Sequence, residues 1–553
     1  MTFKKVYILP AFLLLTIGMA VGVEIDSFVN SSSVDQWEKL QQAFNIVSRR
    51  YVDDVEIDKI VEHAITGMLE ELDPHSTYIS ASEIDELQDE YRGSFGGIGI
   101  WFEVPDDTAR VVSTITDGPS EKAGLMAGDR IIQINDSSAV GLTDRQLQKR
   151  LKGPVGTKVN VTVRRPGIRE PIDFEITRAR IPLYTIDGAY MMDDRTGYIR
   201  VSRFAMTTYD EFLDALEELQ AQGMERLMLD LRFNPGGVMD AAIEMVDEML
   251  SGGKTIVYTK SRHSSLETMY ESTADGIFED KPVIVLVNPY SASASEIVAG
   301  ALQDHDRALI VGQRTFGKGL VQQQFALDDG SVLQLTVSRY YTPAGRLIQT
   351  PYDDGDQLSY YENKFQTLED ATYHPGDYLE SIPDSLKFKT LHGRTVFGGG
   401  GILPDYVVAP DTSSFAALVS ANGLDDLFIR DWFEKNEQQL RARWGDNPDR
   451  FIEEFRITDT QWQDFLTFLE SNDFNLSPSV TSPDPEALAF PPAEVETHRT
   501  TIETRMKFFV ARRLHGFERA LPIFNEIDPV IQEAQKLWDR AEELIQLSAA
   551  ATR

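Results

Sequence analysis

Val283-Ile284-Val285-Leu286-Val287 runs without interruption into Asn288-Pro289-Tyr290-Ser291-Ala292-Ser293-Ala294-Ser295-Glu296. Five apolar residues with no polar alternation describe a strand buried on both faces, the hallmark of a parallel sheet covered by helices. The segment after Pro289 reads as a turn and then a helix over Glu296–Gln303. A serine at such a strand–turn–helix junction is exposed near the positive end of the helix. The small alanines on either side let a substrate backbone approach. This has the logic of a nucleophile elbow, without its usual spelling. The plainer reading is a Ser-rich helix cap.

The pattern continues outward. Tyr198–Val201, Leu227–Leu231 and Ala308–Val311 read as further strands. Helices are expected at Tyr209–Gln222 and Met239–Leu250, and an alternating, antiparallel strand at Leu333–Tyr340. An α/β core with a largely parallel sheet therefore spans 181–412, with a poorly periodic excursion at 346–397 and a turn and strand around Ile402-Leu403-Pro404-Asp405. Before it, residues 24–91 carry apolar residues at helical spacing (Leu40, Ala43, Phe44, Val47, then Ile60, Ala64, Met68, Leu69). Residues 92–180 form a small β module with glycines at 93, 96, 97 and 99 and a helix capped by Thr143. After 413 the chain is helical in character. Four of its six tryptophans, Trp432, Trp444, Trp462 and Trp538, argue for a folded extension rather than a tail.

Composition narrows the function. The 553 residues, 42% hydrophobic, suffice for several cores. With 88 acidic and 53 basic residues the net charge is −35, which speaks against nucleic acid as a partner. There is no cysteine, hence no thiol nucleophile, disulfide or thiolate metal site. Lys4 and Lys5 precede an apolar run to Val23, which reads as a signal peptide or a single N-terminal membrane anchor over 1–23. An exported protein is expected, periplasmic or in the cell envelope, with attachment to the inner membrane left open.

A serine needs a base. His305 lies at the far end of the same helix, roughly 18 Å away at about 1.5 Å per residue. No other histidine lies in a comparable setting in the sequence. Gly317-Lys318-Gly319 follows the next strand, between Phe316 and Leu320, where burial would lower a lysine pKa. Adjacent parallel strands would bring Lys318 near the serine turn, and Gln322 could orient its amine. A second turn, Asp230-Leu231-Arg232-Phe233-Asn234-Pro235-Gly236-Gly237, also joins a strand to a helix. The amides of Gly236, Gly237 and Ala294 are candidate oxyanion donors.

These residues resemble the carboxy-terminal processing peptidases, the tail-specific Ser/Lys proteases. Ser291–Glu296, Thr315–Gly319 with Gln322, the turn at 230–237 and Leu72-Asp73-Pro74-His75-Ser76-Thr77-Tyr78 all match that family's motifs in order. The resemblance implies Ser293 as nucleophile, Lys318 as general base and Gln322 as its support, with no metal or organic cofactor. Tyr290 stands where the family often has glycine. Residues 92–180 resemble a PDZ domain, with Gly97-Ile98-Gly99-Ile100 at the carboxylate-binding loop and Gly118–Asn135 following the family pattern. This implies partners that are protein substrates with accessible, apolar C-termini. The expected function is an exported serine endopeptidase acting through an acyl-enzyme. The alternative is a non-catalytic envelope receptor for protein C-termini. The extension over 413–553 is left as a site for oligomer or adaptor contacts.

Overall fold

The computed structural model describes residues 35–105, 107–115, 117–352, 356–476 and 488–551. The expected signal or anchor segment lies outside them. The chain divides into two units, Met1–Leu72 and Asp73–Arg553. In the first, residues 35–50 and Ile57–Glu70 are helical, as their apolar spacing predicts. Trp37, Leu40, Ile46, Val47 and Val61 on these helices are exposed.

The second unit opens with the short strand Thr77–Ile79 and the helix Ile84–Arg92, which Gly93 ends in the left-handed conformation. The β module follows. Its strands run in the order Ile100–Glu103, Arg110–Thr114, Arg130–Ile134, Lys158–Arg164, Ile172–Thr177. Val159, Val161 and Val163 alternate into its core beside Leu147 and Leu151 of the helix Asp144–Leu151. That helix starts with a capping box, Thr143 and Gln146 exchanging side-chain and backbone hydrogen bonds. A separate pair of strands, Ser94–Gly97 and Ala179–Pro182, brings the chain into and out of the module.

The core sheet has the order Ile186–Met191, Thr196–Val201, Arg226–Asp230, Val283–Val287, Leu309–Gly312, Tyr406–Val407. The first pair is antiparallel and the others are parallel. The run Val283–Val287 shows why it carries no polar residue. Val283, Val285 and Val287 pack with the helices Thr208–Ala221, Met239–Asp247 and Ala294–Asp304. Ile284 and Leu286 pack with Leu521, Ile531, Trp538 and Leu544 from the C-terminal extension. The end of that extension, from Leu521 onward, therefore covers one face of the core sheet, while the part before it, with Trp444, Trp462, Phe465 and Phe508, forms a core of its own.

The excursion after 346 differs from its aperiodic reading. It contains the helices Gln357–Tyr373 and Pro375–Ser381, whose amphipathic signal is weak because tyrosines and charged residues share their faces. A second sheet, built on the antiparallel strands Leu320–Ala326 and Val332–Tyr341, stands beside the core; Thr77–Ile79 and Thr255–Lys260 also pair with Val332–Tyr341.

Candidate active site

Three segments meet at the carboxyl ends of the parallel strands, where open α/β sheets place their ligands. The strand Val283–Val287 leads through Asn288–Ala292 to Ser293, which directly precedes the helix Ala294–Asp304. Ser293 holds a φ of 54°, a left-handed conformation that a serine adopts at a cost. The turn is fixed from within the core. Ala292 N and Ser295 Oγ both donate to Asn234 O at 3.0 Å, and Ser291 Oγ donates to Leu231 O at 2.8 Å.

The glycine turn at 230–237 lies against this one. A Cβ on Gly236 would stand 2.6 Å from Ala292 O and 2.8 Å from Ser293 Cβ, so only glycine fits. Gly236 N donates to Asn234 Oδ1 at 2.9 Å. Its amide is thereby taken, which removes Gly236 from the oxyanion donors expected above. Neither the Gly237 amide nor the Ala294 amide has a hydrogen-bond acceptor among the described residues. The same turn is clamped from outside: Arg232 forms ion pairs with Asp230 at 2.7 Å and with Asp528 of the extension at 2.8 Å.

Lys318 sits on the turn after Leu309–Gly312. Glu296, fully buried, joins it to the serine turn. Its Oε1 accepts from Thr315 Oγ1 at 2.6 Å and Gly317 N at 2.7 Å; its Oε2 accepts from Ser293 N at 2.8 Å and Lys318 N at 2.9 Å. Four donors fill the lone-pair directions of one carboxylate. Desolvation raises the Glu296 pKa, and these hydrogen bonds oppose the rise. The Tyr340 hydroxyl lies within hydrogen-bond reach of both Ser293 O and Lys318 O.

Burial lowers the Lys318 pKa below the ordinary lysine value; the carboxylates of Glu296 and Asp73 oppose that shift. Ser293, Lys318 and Gln322 line one cleft of about 660 Å³ together with Gly236, Gly237, Ile297, Leu320 and Met239. Among the described residues no hydrogen bond joins Ser293 Oγ to Lys318 Nζ, and Ser293 takes part in a capping box with Glu296. Gln322 Nε2 donates to Thr336 Oγ1 at 3.5 Å, and Thr336 Oγ1 donates to Asp73 Oδ1 at 3.1 Å. Leu87, Glu90 and Tyr91, on the helix leading into the β module, line the cleft's other side.

Among the described residues no histidine lines the cleft, but one lies near its lysine. His75 lies close enough to Lys318 for the two charges to interact. Burial, with Lys318 adding to it, lowers the His75 pKa to about 4, so its ring is neutral at pH 7. His75 Nε2 lies 3.3 Å from Tyr360 Oη on the excursion helix, and its ring centroid lies 6.2 Å from that of Phe316. The Asp73 carboxylate organises this loop by accepting from the amides of His75 and Ser76 and from Ser76 Oγ. The signal was the Asp-Pro-His-Ser string itself, whose place beside Lys318 depends on a strand pairing, Thr77–Ile79 with Val332–Gln334, far apart in sequence.

In the β module, Ile98 is buried in the core, and its carbonyl accepts from Ser120 N and Oγ. The Ile98 and Gly99 amides donate no hydrogen bond among the described residues, and Gly99 takes a φ of 69°. Gly97 closes the entry strand opposite Ala179, and Ile100 begins a strand at the edge of the sheet.

Comparison with known proteins gives these features a family. "Peptidase family S41" matches residues 195–354, "PDZ domain" matches 110–165, and "Activating protease CtpB N-terminal domain" matches 21–83. A carboxy-terminal-processing protease of Bartonella bacilliformis is 36% identical over 351 residues, covering 63% of this chain and 80% of that protein. The carboxy-terminal processing protease CtpA of Bacillus subtilis is 35% identical over 371 residues, covering 66% and 78%. A carboxyl-terminal-processing protease of Synechocystis is 38% identical over 288 residues, covering 51% and 66%. The chain belongs to the carboxy-terminal processing proteases of peptidase family S41: it is a serine-type peptidase that carries a PDZ domain.

Proposed function

We propose that this protease is exported and cleaves peptide bonds with Ser293 as nucleophile and Lys318 as general base. Neutral Lys318 Nζ takes the Ser293 Oγ proton as the oxygen attacks the scissile carbonyl carbon. The Ala294 and Gly237 amides receive the oxyanion. Lys318 then delivers the proton to the departing amine, and water hydrolyses the acyl-enzyme. Gln322 holds the lysine amine without adding charge. Because the apo dyad is not hydrogen-bonded, substrate binding draws the two groups together. The observation that carries this reading is that Ser293 and Lys318 open on one cleft and are tied through the single carboxylate of Glu296.

The PDZ domain captures the substrate C-terminus. The free Ile98 and Gly99 amides take its carboxylate, and the strand Ile100–Glu103 extends the sheet with the peptide. Ile297, Leu320 and Met239 give the catalytic cleft an apolar wall suited to apolar side chains. The helix Ile84–Arg92 borders the cleft and enters the PDZ domain, so a captured tail can be felt at the site. Export rests on the basic and apolar N-terminus; among the described residues no helix is long and apolar enough to cross a membrane. A non-catalytic receptor would have no use for a complete Ser293, Lys318 and Gln322 set.

The test is cleavage of an unfolded protein with an apolar C-terminus. Ser293→Ala and Lys318→Ala are each expected to lower kcat by about 10⁴-fold or more with an unchanged melting temperature. Activity retained by either variant refutes the dyad.

A further inference from the structure

Behind the lysine turn lies a second, separate cavity of about 250 Å³. Arg314, Phe316, Thr350 and Lys364 are among its walls; Lys364 comes from the excursion helix Gln357–Tyr373. Lys364 is 5% exposed, and its buried Nζ has no hydrogen-bond partner among the described residues. The ammonium lies over the Phe316 ring, which softens but does not meet its need for acceptors. Glu296 is the nearby carboxylate, but its four lone-pair directions are already filled by Ser293, Thr315, Gly317 and Lys318. Arg314 donates to Gly400 O, Gly399 O and Tyr378 Oη, leaving its positive charge at the cavity wall without a carboxylate partner. Two buried cations thus share a cavity whose described walls carry no acidic side chain.

We propose that this cavity binds a small oxyanion, a carboxylate or a phosphate, through Lys364 Nζ, with Arg314 supplying long-range charge. A buried, unpaired ammonium is costly, and a bound anion offsets that cost with a charge-assisted hydrogen bond. Burial lowers the Lys364 pKa to about 7, so an anion would return to it a charge that the apo site only half holds. The site is distinct from the peptide cleft but shares a wall with the base turn: Phe316 directly precedes Gly317 and Lys318. An anion here would also settle the excursion helix against that turn.

The experiment is a melting-temperature and isothermal titration series on the full chain with sodium acetate, inorganic phosphate or sodium chloride at equal ionic strength. Phosphate or acetate is expected to raise the wild-type Tm by about 2 °C or more over chloride, and to lose that effect in Lys364→Met. A shift with phosphate alone assigns a phosphate-type ligand; a shift with acetate alone assigns a carboxylate. Equal Tm in all three salts, or an equal shift in Lys364→Met, overturns the site. Should Lys364→Met fold poorly, Lys364→Gln keeps the side chain polar without its charge, and calorimetric binding that persists in it overturns the proposal as well.

Discussion

The serine turn and the lysine turn end neighbouring parallel strands, yet they are held in different ways. The serine turn is built into the core. It follows a strand buried on both faces, opens directly into a helix, and is bonded to Asn234 and Leu231 on the adjacent turn. The lysine turn has no helix of its own. Phe316 N donates to Ser291 O at 2.9 Å, Gly319 N to Gln349 Oε1 at 2.9 Å, and Thr350 N to Gly317 O at 2.9 Å; Glu296, Tyr340 and Ile402 add further bonds. The serine turn is thus positioned by the fold, and the lysine turn by borrowed side chains and a neighbouring loop.

Gly236→Ala, on the adjacent glycine turn, pushes against the serine turn. Its φ of 94° and the 2.6 Å approach to Ala292 O leave no room for a methyl group. It is expected to cost roughly 3 kcal/mol of stability, read by denaturant unfolding, and at least about 10²-fold in kcat. A Tm equal to wild type would show that the serine turn is not locked to the core. Glu296→Gln attacks the link between the turns. The amide presents a donor where two donors already point, at either the Ser293 and Lys318 amides or the Thr315 and Gly317 pair. About 10²-fold should be lost in kcat with KM nearly unchanged, alongside a stability loss of roughly 1–3 kcal/mol. Unaltered turnover would mean that the two turns keep their spacing without the carboxylate. Gln349→Ala touches the lysine turn and leaves the serine turn alone. It should lower kcat by about tenfold and change stability by no more than about 1 kcal/mol, so a large Tm drop with normal kcat would reverse the assigned roles.

The sequence was legible where one local rule decided the outcome. Val283–Val287 predicted two-sided burial, Thr143 predicted a cap, and the ordered motifs around Ser293 and Lys318 predicted their convergence on one cleft. What escaped depended on contacts between distant segments. Nothing near Leu521, Ile531 or Trp538 announces that they cover Ile284 and Leu286, because a helix face that packs on a sheet looks like one that packs on helices. The helix Gln357–Tyr373 hides behind a mixed sequence and gains order by packing. Gly236 carried the right residue for an oxyanion loop, but its amide was committed by Asn234, a hydrogen bond that no spacing argument reveals. His75 comes near Lys318 through a strand pairing between segments far apart in sequence.

Whether Lys318 is the base for Ser293 is tested most directly by the pH dependence of Ser293 phosphonylation by a fluorophosphonate, followed by mass spectrometry in wild type and Lys318→Ala. Burial holds the Lys318 pKa below the ordinary lysine value of about 10.4. The neutral base therefore accumulates as pH rises through that lowered pKa. The rate should climb with pH, reach a plateau before an ordinary lysine would titrate, and fall by about 10³-fold or more in Lys318→Ala. The same profile in wild type and Lys318→Ala would contradict the account.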